Sequence, residues 1–143
     1  MSKLTIVIVG GVAGGASAAT RARRMNEDAE IILIEKDEHV SFANCGLPYH
    51  IGEEIADRAA LLVATPKFLE TRFGLDVRVR EKVTSIDREA KTVTVLRQNS
   101  GEEYQQPYDK LILAPGATPF VPPMEGADAG NVLTLRNMSD MDR

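Results

Sequence analysis

Apolar residues follow two patterns along this chain. Leu4-Thr5-Ile6-Val7-Ile8-Val9 is a near-continuous run rich in β-branched side chains, and Ile31-Ile32-Leu33-Ile34 is a second. Such unbroken runs predict strands covered on both faces, as in a parallel sheet. From residue 76 the period changes, and residues 76–80, 83–87 and 92–96 alternate apolar with polar. Alternation predicts short, half-exposed antiparallel strands, here a meander that turns at Asn99-Ser100-Gly101 into Glu102-Glu103-Tyr104. Leu111-Ile112-Leu113-Ala114 reads as one more buried strand, ending in Pro115-Gly116-Ala117. Residues 16–24 are rich in Ala and Arg and predict a helix. A second helix is predicted over 67–73, with Thr65 as its cap, Pro66 at its first position and Gly74 as its stop, burying Phe68, Leu69 and Phe73. The apolar residues 59–63 are expected to cross the core. Ser139-Asp140 reads as another helix cap, yet the chain ends within four residues of it.

The turn between the first run and the first helix changes the picture. Gly10-Gly11-Val12-Ala13-Gly14-Gly15 joins a strand to a helix, which is how a dinucleotide-binding βαβ unit begins. The free N–H groups at the helix start, with the helix dipole behind them, would hold a pyrophosphate. Against the G-x-G-x-x-G pattern, Val12 stands where a middle glycine would let the backbone approach the phosphates. Twenty residues after Gly15, the second run ends in Glu35. An acid at that place would accept hydrogen bonds from a ribose hydroxyl pair. Strand, glycine turn, helix and strand together predict an α/β fold.

Composition adds exclusions. The 143 residues suffice for a single core, and 43% apolar with 27% charged residues is ordinary for a globular protein. A net charge of −4 argues against non-specific nucleic-acid binding, and Arg21, Arg23 and Arg24 read as a solvated helix face. Lys3, the uncharged residues 4–20 and Ala16-Ser17-Ala18 mimic a secretion signal, but glycines interrupt the apolar region, and no run is long enough to span a bilayer. A cytoplasmic protein with no membrane partner is expected. With one cysteine, Cys45, there is no internal disulfide and no C-x-x-C pair, and with His39 and His50 alone no protein-only zinc site is expected. His39 reads as a surface residue and His50 as structural.

Cys45 sits in Val40-Ser41-Phe42-Ala43-Asn44-Cys45-Gly46-Leu47-Pro48-Tyr49-His50-Ile51-Gly52, a stretch without a clear period that reads as a binding loop entering a short helix. The dipole of such a helix would favour a thiolate, and Ser41 and Asn44 could hydrogen-bond the sulfur or an incoming group. The composition allows Cys45 equally as a small buried hydrophobe or, where a disulfide is reduced, as the thiolate that forms a mixed disulfide with an external sulfur.

On the glycine turn, Glu35-Lys36, the stretch Ser41-Phe42-Ala43-Asn44-Cys45-Gly46-Leu47-Pro48-Tyr49, and Leu111-Ile112-Leu113-Ala114-Pro115-Gly116-Ala117, the whole chain resembles the flavin-dependent pyridine nucleotide–disulfide oxidoreductases. It is most similar to their single-cysteine branch, the coenzyme A disulfide reductases and NADH-dependent persulfide reductases. The resemblance implies a Rossmann-like three-layer FAD-binding domain with an antiparallel β-meander insertion. It makes residues 1–120 the N-terminal part of that domain and 121–143 a linker toward an NAD(P)H-binding domain, so a longer protein is expected. It assigns Gly10, Gly11, Val12, Ala13, Gly14, Gly15, Glu35, Lys36, Ala114, Pro115 and Gly116 to FAD, and Cys45, Asn44 and Ser41 to catalysis. It also implies NADH or NADPH as donor, coenzyme A as substrate or bound thiol, a small disulfide or persulfide as partner, and a homodimer. An NADH oxidase that cycles Cys45 through a sulfenic acid, or a non-catalytic nucleotide-binding module, are the alternatives.

Overall fold

The two apolar runs form neighbouring parallel strands. The computed structural model describes residues 3–143, in the order β1 (Thr5–Val9), α1 (Gly14–Met25), β2 (Glu30–Glu35), α2 (Leu47–Ile51), α3 (Pro66–Phe73), β3 (Asp76–Val79), β4 (Glu81–Asp87), β5 (Thr92–Arg97), β6 (Glu103–Pro107), β7 (Lys110–Leu113) and α4 (Met138–Met141). The residues divide into two units. The first runs up to Phe42 and resumes over Ala64–Pro115; the second joins Ala43–Val63 to Gly116–Arg143.

In the first unit, four parallel strands lie in the order β3-β2-β1-β7, and β4-β5-β6 form a separate antiparallel sheet. Side chains alternate across the parallel strands, yet both faces are apolar. Ile6, Ile8, Ile31 and Leu33 join Ala19 of α1 and Leu69 of α3 in one core. Val7, Ile32 and Ile34 join Val93 and Val95 of the meander in a second. Helices, sheet and meander thus make three layers, and the unbroken runs exist because each layer demands its own apolar face. Each fully buried Ile, Leu or Val adds roughly 1.5–3 kcal/mol relative to exposure.

Several expectations are corrected. Residues 76–79 belong to the parallel sheet, where β3 pairs with β2 from Ile32↔Asp76 to Glu35↔Val79. They alternate because an edge strand is only partly covered, not because they lie in the meander. Leu111–Leu113 likewise form an edge rather than a buried strand, with Leu113 56% exposed. Residues 59–63 do not cross the core: Arg58–Leu61 is a 3-10 turn of the second unit, and Leu61 is its buried residue. α3 is capped by Thr65 and stopped by Gly74 in the left-handed region as expected, but it buries Leu69 and leaves Phe68 exposed. Arg23 is no solvated residue. Its guanidinium donates to Phe73 O at 2.8 Å, Glu27 O at 2.6 Å, Ala29 O at 2.7 Å and Gly74 O at 3.0 Å, tying the ends of α1 and α3 to the start of β2.

The second unit buries Leu47, Leu61, Met138 and Met141, with α2 packed on α4. Arg58 donates to both Asp142 oxygens at 2.7 Å. The cap of α4 is Asn137, in a reciprocal capping box with Asp140, two residues before the expected Ser139. No helix among the described residues is long and apolar enough to cross a membrane.

Candidate functional site

β1, β2 and β7 all end at the same edge of the parallel sheet, and their exits build a cradle. β1 pairs with β2 on one side and β7 on the other, so the chain order reverses beside β1. Such a switch point opens a crevice at the carboxyl ends of the strands. The turn after β1 is held from both neighbours: Gly10 N–H donates to Ile34 O at 2.8 Å, and Ala114 N–H donates to Val9 O at 2.8 Å.

Two glycines are required there by contact. Gly10 has φ +94°, and a Cβ on it would lie 2.0 Å from Ala114 O. A Cβ on Gly15 would lie 1.6 Å from Gly10 O. No rotamer relieves either clash, because the obstacle is backbone. Val12 is half-buried, and the neighbour with no room for a side chain is Gly11, where a Cβ would lie 2.8 Å from Val40 Cγ1. Ala13 and Gly14 are exposed. Ala13 caps α1 without a side-chain hydrogen bond, and the first turn has no acid. The start of this twelve-residue helix thus carries neither a capping side chain nor a first-turn acid that would repel an anion.

Glu35 is buried to 4% exposure at the end of β2. Its Oε2 accepts from Gly11 N–H at 2.7 Å and its Oε1 from Asp37 N–H at 2.9 Å. A carboxylate offers about four lone-pair sites, so two remain. Glu35 thus fastens the glycine turn in addition to any ligand role. Lys36 is exposed, and its carbonyl accepts from Gln98 Nε2. Ser41 joins this cluster through its backbone: at φ +47° it donates from N to Gly11 O at 3.0 Å and accepts at O from Ala64 N–H at 3.1 Å. Sequence reasoning missed Val40, Asp37, Arg80 and Gln98. Only Val40 carried a signal, as a lone aliphatic residue in a polar stretch.

The cysteine stands in the second unit. Asn44–Gly46 form a 3-10 turn that leads directly into α2, the short helix expected after Cys45. Cys45 is a free, exposed cysteine. Gly46 behind it is buried, and a Cβ there would lie 2.5 Å from Leu61 Cδ2, so Leu61 shapes the turn. His50 Nδ1 lies 2.6 Å from Ile55 O, a bond that needs the proton on Nδ1 and gives His50 a structural role. Gly116, at φ +70°, packs under Arg136, whose Nε donates to Ala117 O at 2.9 Å. No group of three or more metal-ligating side chains occurs among the described residues.

A parallel sheet with a glycine turn at its switch point, a helix start behind that turn and an acid after the next strand define a Rossmann-like α/β protein. The chain belongs to the pyridine nucleotide-disulphide oxidoreductase family, which it matches over residues 4–143. It is 44% identical over 137 residues to the coenzyme A disulfide reductase of Staphylococcus aureus strain JH9, covering 96% of this chain and 31% of that protein. Among solved structures, reduced Bacillus anthracis CoADR-RHD matches with TM-score 0.95 and 49% identity, over 100% of this chain and 26% of that one. A NAD-dependent persulfide reductase from A. fulgidus matches with TM-score 0.91 and 36% identity, over 97% of this chain and 26% of that one. The chain spans about a third of the length of its curated relatives.

Proposed function

We propose that this chain carries the FAD cradle and the redox thiol of an NAD(P)H-dependent flavoprotein that reduces a coenzyme A disulfide or a persulfide. The cradle residues fit a dinucleotide. The turn from Gly10 to Gly15 is closed to side chains at Gly10, Gly11 and Gly15, the start of α1 offers N–H groups to a pyrophosphate, and Glu35 keeps lone pairs for ribose hydroxyls. Lys36 follows β2, and Ala114 and Pro115 follow β7, at the same strand exits, and we assign them and Gly116 to the same cofactor. When bound, FAD supplies a two-electron relay between nicotinamide and sulfur.

The observation that carries the sulfur chemistry is Cys45, the sole cysteine of the chain and exposed. Its thiolate attacks one sulfur of an external disulfide, the S–S bond breaks, and one thiolate leaves. The product is a mixed disulfide on Cys45. Two electrons, supplied ultimately by NAD(P)H, and a proton then release the second thiol and restore the Cys45 thiolate. Asn44 opens the turn that presents Cys45, and Ser41 ties the preceding loop to the glycine turn. The relatives' names, coenzyme A disulfide reductase and persulfide reductase, support an external sulfur substrate. A cytoplasmic homodimer, with the nicotinamide site on a separate domain, completes the reading.

The test is Cys45→Ser, followed by stopped-flow flavin reduction beside steady-state turnover. A hydroxyl cannot form a mixed disulfide, so NAD(P)H-driven reduction of coenzyme A disulfide and persulfide should fall to background while flavin binding and flavin reduction persist. Wild-type disulfide turnover in the serine variant would sink the assignment. Loss of NADH-dependent oxygen consumption in place of disulfide turnover would favour an oxidase with a sulfenic acid at Cys45.

A further inference from the structure

We propose that Gln98, the residue after β5, is a positioning residue for Glu35 and acts through a single peptide plane. The inference rests on Glu35 as the ribose acid. The Lys36–Asp37 peptide is held at both ends: its carbonyl, Lys36 O, accepts from Gln98 Nε2, and its N–H, on Asp37, donates to Glu35 Oε1 at 2.9 Å. A trans peptide is planar, with C=O and N–H pointing in opposite directions. Fixing the carbonyl from the meander side therefore aims the N–H at the carboxylate. A donor on the carbonyl also polarises the amide and strengthens the N–H as a donor.

The next peptide is fixed too. Asp37 O accepts from Arg80 N–H at 3.1 Å, and Arg80 O accepts from Gln98 N–H at 3.0 Å. Arg80, at φ +57°, is the single residue between β3 and β4, where the chain leaves the parallel sheet for the meander. Its guanidinium also meets Glu38 at 2.7 Å. Gln98 and Arg80 thus close a ring of hydrogen bonds around the loop that orients Glu35. The meander is thereby more than a cover for the sheet, since it sets the direction of the carboxylate that faces the glycine turn.

The experiment is a double-mutant cycle on FAD affinity, measured by flavin fluorescence with apoprotein prepared from the holoenzyme. The variants are Gln98→Met, Glu35→Gln and both together. Methionine keeps the length of Gln98 and removes the donor. Gln98→Met should weaken FAD roughly fivefold, as expected for one hydrogen bond. In the Glu35→Gln background it should add almost nothing, because the group it orients is already altered. ADP should compete better than 2′,3′-dideoxy-ADP in the wild type, and Gln98→Met should narrow that preference. A change in Gln98→Met that multiplies with Glu35→Gln, or one that only lowers apoprotein melting, overturns the inference and leaves Gln98 as packing. If Glu35→Gln itself leaves FAD affinity unchanged, the ribose reading fails and this inference falls with it. If only Gln98→Met is silent, the inference fails alone.

Discussion

Glu35 shows at the residue scale how one side chain holds two parts of the chain together. Its carboxylate accepts from the Gly11 and Asp37 N–H groups, 24 and two residues away, and it does so at 4% exposure. Replacement by glutamine puts an amide NH2 against one of these donors and leaves a buried N–H unsatisfied, at a cost of about 1–3 kcal/mol. Glu35→Gln should therefore lower the melting temperature of the apoprotein, measured by differential scanning fluorimetry without flavin. A residue that serves only as a ligand would leave apoprotein melting unchanged. The same carboxylate explains what sequence could reveal. Gly10, Gly15 and Glu35 stand out in the chain because backbone contacts admit only glycine and because the acid follows a β-rich run at a fixed distance. The internal hydrogen bonds of Glu35 left no trace there. A donor such as Gln98 lies 62 residues from its acceptor, and no local pattern encodes that pairing.

At the scale of elements, legibility follows how completely an element is covered. β1 and β2 are sandwiched between helices and meander, so their composition announced both layers. β3 and β7 are edges, where partial exposure erodes the apolar run into something like antiparallel alternation or overstates burial. Arg23 reads as a surface residue from sequence because its acceptors are backbone carbonyls, which no side-chain identity reveals. The meander is fastened to β3 by polar contacts centred on Tyr104. Its hydroxyl donates to Glu81 and accepts from Arg78 Nη1 at 2.9 Å, and Arg97 lies over its ring at 4.6 Å. Burial, helped by the Glu81 carboxylate, raises the Tyr104 phenol above its ordinary value of 10.0, and Arg78 only partly offsets this. A phenol with a raised folded-state pKa contributes stability that is complete below pH 10.0 and is lost as pH climbs through the folded value. Melting temperature should thus fall more steeply as pH rises above about 10 in the wild type than in Tyr104→Phe. The variant should start lower at pH 7, having lost both hydroxyl bonds. Parallel alkaline limbs in the two proteins would count against Tyr104 as the titrating group.

For the molecule as a whole, what matters under the proposed function is the number of dinucleotide cradles. Among the described residues there is one strand–glycine turn–helix, Thr5 to Met25, and no second. A flavoenzyme that takes hydride from NAD(P)H needs a place for each dinucleotide, and one turn with one acid serves one of them. The relatives that match this chain are about three times its length, room enough for another. Both units also leave large apolar side chains uncovered. Leu113 on the β7 edge of the first is 56% exposed, and Phe120 and Met124 in the second are 82% and 61% exposed. A polypeptide of residues 1–143 made by itself should therefore fail to oxidise NADH or NADPH even with FAD added, and should self-associate through these surfaces. Absorbance at 340 nm follows the first property, and light scattering across a protein dilution series follows the second. Steady NADH consumption by the pure polypeptide would mean that its single cradle, or a site outside it, accepts nicotinamide, and Gly10 to Gly15 could then no longer be reserved for FAD. A monomer at all concentrations would show that the exposed apolar residues are solvated surface rather than a face made for further chain.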